Sequence, residues 1–180
     1  MWMPMTSLSE AALTRSPGHF RQHTDDPPGH IMVVDDNREA GTTLAALLEL
    51  AHHTVEYIDN GRTALHAIEQ HLADLIILDV QLPDLDGFSI CDVLKRNPST
   101  WQIPIIMVTV ESQRAARIQG YEAGADDYLE KPVDMPELEA RIRTLLRTKR
   151  RNDQLEPAES VIFALARAVD QYLAHRARRQ

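Results

Sequence analysis

Two short apolar runs in this chain end in carboxylates. Ile31, Met32, Val33 and Val34 lead directly into Asp35 and Asp36, and Leu75, Ile76, Ile77 and Leu78 lead directly into Asp79. Each run is too short for a helix and rich in strand formers, so each reads as a strand buried on both faces. An ionised carboxylate at the tip of a buried strand is costly unless it is paired. The crevice beyond the carboxyl ends of parallel strands is also where open α/β sheets hold ligands. If the two strands are parallel neighbours, three carboxylates gather at one sheet edge and cannot persist there as bare charges. Their hard oxygens call for a divalent cation. Mg2+ suits them, because it takes one or two protein carboxylates and leaves its other positions to water and phosphate oxygens.

Two further residues extend this chemistry. A third apolar run, Ile103 to Val108, ends in Thr109, whose hydroxyl would lie at the same edge as Asp79 and can donate to a phosphoryl oxygen. A threonine in a strand means nothing alone. Lys131, before Pro132, offers a compact cation on a long stem, suited to reach across the crevice to a phosphate.

The elements that must position these groups follow in order. Asn37 can cap a helix from about Arg38 to His52, with Leu44, Leu47, Leu48 and Ala51 on one face. Val55 to Asp59 reads as a strand, and Asn60-Gly61 turns the chain into a helix from about Arg62 to His71. A third helix begins at Asp86 or Gly87 and runs to about Arg96, where Asn97 to Thr100 (N-P-S-T) breaks it. A fourth spans about Ser112 to Ala123; Gly124 and the short strand Tyr128-Leu129 follow. The fifth, Met135 to about Arg150, turns Leu138, Ile142, Leu145 and Leu146 toward the sheet. Strands alternating with helices of this length predict a parallel, doubly wound α/β sheet with right-handed crossovers.

V-V-D-D, L-D-V-Q-L-P-D-L-D-G, I-P-I-I-M-V-T and G-A-D-D-Y-L-E-K-P, in this order over about His30 to Arg147, resemble the receiver domain of two-component response regulators. The resemblance implies a five-stranded, flavodoxin-like (CheY-like) sheet of order 2-1-3-4-5 and a Lys131-Pro132 peptide that is often cis. It implies phosphoryl transfer from a histidine kinase or phosphotransfer protein to Asp79. Asp36 and Asp79 would bind Mg2+ directly, with the Gln81 carbonyl as a third oxygen and Asp35 acting through water. Thr109 and Tyr128 would form the switch toward the face made by the fourth helix, fifth strand and fifth helix. Gln81, Val110 and Glu111 occupy positions that modulate loss of the phosphoryl group. Val110 stands where the family usually has a smaller residue, which implies a narrowed mouth.

Rival readings are weaker. Phosphatases of the haloacid dehalogenase type also use a strand-end Asp but want a second Asp two residues on, where this chain has Gln81. A pseudo-receiver serving only as an interaction module fits poorly with the full set Asp35, Asp36, Asp79, Thr109 and Lys131. Asp84 to Gly87 (D-L-D-G) is a fragment of a calcium loop without its closing Glu.

The totals bound the rest. A chain of 180 residues, 43% hydrophobic, holds one domain with extensions. The expected division is a flexible leader over 1–29, a receiver over 30–147, and a linker with a helical extension over 148–180. His19, His23 and His30 lack an acidic or Cys partner at ligand spacing and read as solvated. A net charge of -8 argues against a whole-chain nucleic-acid binder. The region from Arg147 to Gln180 nevertheless carries eight basic residues against four acids. One cysteine, Cys91, allows no internal disulfide and reads as a packed thiol. Without an apolar span or a signal-like segment, the expectation is a cytoplasmic protein with no membrane contact.

Near the end, Ile162, Leu165, Val169 and Tyr172 recur at heptad-like spacing, which suggests either a packed helix return or a two-chain helical contact. Leu155 to Val169 resembles the helix leading from a receiver into an HD-GYP cyclic di-GMP phosphodiesterase domain, although no H-D pair or G-Y-P follows. The reading is a phosphoacceptor domain rather than an enzyme. A homodimer is expected through the C-terminal helix or through the face of the fourth helix, fifth strand and fifth helix.

Overall fold

The computed structural model of the chain describes residues 28–110 and 114–154. Five strands form one sheet: β1 (His30–Val34), β2 (Thr54–Ile58), β3 (Leu75–Asp79), β4 (Ile105–Thr109) and β5 (Asp127–Glu130). All pairings are parallel and the order is β2-β1-β3-β4-β5, so the winding reverses between β1 and β3. Between strands lie α1 (Arg38–Leu50), α2 (Gly61–Gln70), α3 (Gly87–Arg96) and α4 (Arg114–Glu122). A fifth helix, α5, covers residues 135–154 to the limit of the described residues.

Strand alternation divides the core in two. Met32, Val34, Ile76, Leu78, Ile105 and Met107 face α2 and α3, where Ile68, Ile90, Cys91 and Leu94 cover them. Ile31, Val33, Leu75, Ile77, Ile106 and Val108 face α1 and α5, where Leu48, Leu138, Ile142 and Leu146 cover them. β3 and β4 are buried along their whole length, as unbroken apolar runs require. Helices of about ten residues are marginal alone, so this packing, at about 1.5–3 kcal/mol per large buried side chain, holds them in place.

Two expectations need correction. α1 ends at Leu50 rather than His52, because His52 takes a left-handed φ of 69° that cannot continue a helix. Of the expected stripe Leu44, Leu47, Leu48 and Ala51, Leu48 is buried and Leu44 packs part-buried against the core, but the other buried positions are Gly41 and Ala45 rather than Leu47 and Ala51. The small residues face the sheet because a Cβ at position 41 would lie 2.2 Å from Cε2 of Tyr57, and Leu47 is left 39% exposed. Helix α5 passes Arg150 and residue 147 without interruption. Contacts at the amino-terminal edge of the sheet brace it: Arg150 donates to the Pro28 carbonyl at 3.1 Å, and Lys149 lies 3.8 Å from Asp74.

Among the described residues no helix is long and apolar enough to cross a membrane. Residues 1–27 of the expected leader and 155–180 of the expected extension, including the heptad-like stripe, lie outside them.

Candidate functional site

The carboxyl ends of β1 and β3 bring the expected acids together. Asp79 is 6% exposed and Asp35 5% exposed, while Asp36 is open to solvent. Carboxylate oxygens of all three lie within 4.8 Å of one another. Lys131, immediately beyond β5, closes the group: its Nζ donates to Asp79 Oδ2 at 2.6 Å and to Asp35 Oδ2 at 2.7 Å. The other oxygens are held by backbone, Asp79 Oδ1 by the Gln81 N–H at 3.0 Å and Asp35 Oδ1 by the Asn37 N–H at 2.9 Å. The Lys131-Pro132 peptide is cis, and the Lys131 N–H donates to the Thr109 carbonyl at 2.7 Å.

Burial raises the pKa of Asp79, and the hydrogen bonds from Lys131 and Gln81 only partly offset it. For Lys131, burial acts downward, but its bonds to Asp35 and Asp79 overcome it and raise the ammonium pKa. Three carboxylates around one ammonium leave two negative charges in a half-buried crevice. That surplus of hard oxygen donors fits Mg2+.

Thr109 is fully buried at the end of β4, on the face of Met107, which is in register with Tyr128 of β5. Tyr128 lies inward at 2% exposure, with the Arg117 guanidinium 5.8 Å from its ring centroid. Val110, just past Thr109, is 65% exposed, and the Gln81 side chain is exposed as well. Glu111 lies outside the described residues.

Several supporting residues were not foreseen. Gly87 begins α3 against the end of β3, where a Cβ would lie 2.4 Å from the Asp79 carbonyl oxygen, and its N–H donates to the Val80 carbonyl at 3.0 Å. The D-G pair marked a helix start, but nothing local announced that contact. Asp84 accepts from the N–H groups of Gly61 and Arg62 at 3.0 and 2.9 Å and so caps α2, while Asp86 caps α3. Both acids of the D-L-D-G fragment thus serve as helix caps. Tyr57 donates from its hydroxyl to the Asp35 carbonyl at 2.8 Å. Beside the acids, a hollow of about 490 Å3 runs between α1 and residues 131–135, lined by Ala40, Leu44, Leu47, Val133 and Met135.

Cys91 is buried, its thiol donates to the Ala123 carbonyl at 3.4 Å, and burial pushes its pKa up to about 11. It is a packed residue, as its apolar neighbours suggested.

The chain is similar to known proteins over most of its described length. The family model for the response regulator receiver domain matches residues 31–143. Response regulator PleD of Caulobacter vibrioides is 42% identical over 130 residues, covering 72% of this chain and 29% of that protein. The DNA-binding dual master transcriptional regulator RpaA of Synechocystis is 40% identical over 128 residues, 71% of this chain and 52% of that one. The chain therefore spans between about a third and a half of the length of these two relatives. Among solved structures, the BeF3-activated receiver domain of Klebsiella pneumoniae RstA is 35% identical with a TM-score of 0.62, covering 66% of this chain and 98% of that one. The signal receiver domain of a signal transduction histidine kinase from Syntrophus aciditrophicus is 33% identical with a TM-score of 0.63, covering 67% and 91%. By its strand order, its acid site and these matches, the chain belongs to the receiver-domain family of two-component response regulators.

Proposed function

We propose that Asp79 accepts a phosphoryl group from a phosphohistidine of a histidine kinase or phosphotransfer protein, and that the acyl phosphate is the signal. One observation carries this reading: a buried strand-end carboxylate is held by a lysine and a backbone N–H beside two further carboxylates. An Asp79 oxygen forms the new O–P bond in line as the N–P bond to the donor imidazole breaks, and the imidazole then takes up a proton. Lys131 turns from the carboxylate toward the transferred oxygens and offsets their charge, while the Thr109 hydroxyl orients them. Asp36, Asp79 and the Gln81 carbonyl would hold Mg2+ directly and Asp35 through water; the ion, when bound, supplies positive charge at the phosphoryl oxygens. The apolar hollow between α1 and residues 131–135 supports approach of the donor protein from that side.

Attraction of the Thr109 hydroxyl to the phosphoryl group frees space for the Tyr128 ring. The site is thereby coupled to the face of α4, β5 and α5. Exposed Ile118 and Tyr121 on α4 support that face as a homodimer contact. The C-terminal stripe is the alternative contact, and sedimentation with and without phosphorylation decides between a fixed and a switched dimer.

Gln81, Val110 and Glu111 would set the rate of phosphoryl loss. Val110→Ala is expected to speed labelling by acetyl phosphate, and an unchanged rate would contradict a narrowed mouth. The receiver over 30–147 would be preceded by a leader and followed by a linker and helical extension; the resemblance at 155–169 supports, as the alternative reading, the receiver part of a cyclic di-GMP phosphodiesterase regulator.

The central test is intact mass after incubation with Mg2+ and acetyl phosphate. The native chain should gain one phosphoryl group and Asp79→Asn none. Equal labelling of both would remove Asp79 from its role.

A further inference from the structure

We propose that Tyr57 is a positioning residue for the acid site. Its hydroxyl fixes the peptide joining Asp35 to Asp36 and so sets the spacing of the carboxylates toward a divalent cation. The inference rests on the Mg2+ reading above.

Asp35 is tethered at every polar atom. Its N–H donates to the Ile58 carbonyl at 3.1 Å, Oδ1 accepts from Asn37, Oδ2 accepts from Lys131, and its carbonyl accepts from the Tyr57 hydroxyl at 2.8 Å. The last contact differs in kind. That carbonyl belongs to the planar peptide whose nitrogen is Asp36's own, so holding the oxygen fixes the direction in which the Asp36 residue departs. Asp36 is exposed, and its carboxylate makes no hydrogen bond or ion pair among the described residues. Its place relative to Asp79 therefore depends on the backbone that carries it.

The ring is built into a slot. A Cβ at Gly41 would lie 2.2 Å from Tyr57 Cε2 and 2.8 Å from Cδ2, so a glycine on α1 lets the phenol pack close against the helix and reach Asp35. A hydroxyl bonded to a neutral carbonyl contributes modestly to folding. Its value to the site is geometric, as for other groups that orient metal ligands from behind.

The test uses the full chain and Mg2+ alone, titrated calorimetrically. Tyr57→Phe keeps the ring and should weaken Mg2+ about tenfold, the low end of such outer-layer effects. The Mg2+ concentration for half-maximal labelling by acetyl phosphate should rise in the same proportion, while the rate at saturating Mg2+ is retained. Thr100→Val serves as control: Thr100 is buried and donates to the Leu94 carbonyl at 2.7 Å at the far edge of the sheet, and its loss should leave Mg2+ binding unchanged. Mg2+ affinity of Tyr57→Phe within twofold of native would overturn the proposal, as would equal weakening by both variants. A native chain that binds no Mg2+ would instead sink the cation reading itself, and this inference with it.

Discussion

Two lysines sit among oxygens at opposite edges of the sheet, and their surroundings differ in one respect. Lys95 donates to the carbonyls of Trp101 and Ile103 at 3.2 and 2.9 Å and to Asp126 at 2.7 Å, so one carboxylate and two neutral acceptors satisfy its three donors. Lys131 faces two carboxylates directly and a third close by. The first cluster is neutral and complete, and it pins the turns before β4 and β5. The second keeps a negative excess that no cation among the described residues cancels, and a charge imbalance maintained in a crevice is what a site for a cation and a phosphoryl group requires.

Removing each lysine should separate the two cases. Lys131→Met leaves buried carboxylates facing one another and should cost about 3–5 kcal/mol in denaturant melts without divalent ions. Millimolar Mg2+ should recover part of that loss. Lys95→Met should cost less, about 2 kcal/mol, because Asp126 is partly open to water and the remainder is unpaired carbonyls. Mg2+ should not restore it. Equal recovery in both variants would remove the distinction between the edges.

Gly87→Ala probes the functional edge through its backbone. The added methyl group meets the Asp79 carbonyl, and overpacking of this kind costs about 1–3 kcal/mol. Labelling at Asp79 should slow in this variant beyond what its stability loss explains, measured at a temperature where it is fully folded. A methyl tolerated without change would mean that α3 is not braced on β3.

The smallest effect belongs to the structural edge. His53 accepts the Gly29 N–H at Nδ1, 3.2 Å away, and burial lowers its pKa below the ordinary 6.5. The folded protein thus binds fewer protons there than the unfolded chain. Its contribution is present above about pH 6.5 and is lost as the pH falls toward the depressed folded value. The denaturant midpoint of the native chain should drop more between pH 7.5 and 5.5 than that of His53→Asn, which keeps an acceptor that does not titrate. Parallel curves would remove His53 from the account.

How much of this was legible from residues alone depends on the reach of each interaction. The central strands declared themselves because burial on both faces leaves unbroken apolar runs, and Asp35, Asp36, Asp79 and Lys131 stood out as charges at or beyond strand ends. Asn37 and Asn60 were readable as helix starts because a cap acts within three residues. The rotation of α1 was not, since choosing Ala45 over Leu47 for the sheet follows from the fit of Gly41 against Tyr57 on another strand. Asp84 on α2, Gly87 on Asp79 and Tyr57 on Asp35 were hidden for the same reason. Each joins residues 8 to 23 positions apart, and nothing near them in sequence marks the partner.

The most direct test of the account is to locate the phosphoryl group. Borohydride reduction of the labelled native chain converts an aspartyl phosphate to homoserine, and peptide mass spectrometry then identifies its position. Homoserine at position 79 alone is the predicted result. Homoserine at 35 or 36, or label that resists reduction, would contradict the assignment of Asp79 as phosphoacceptor.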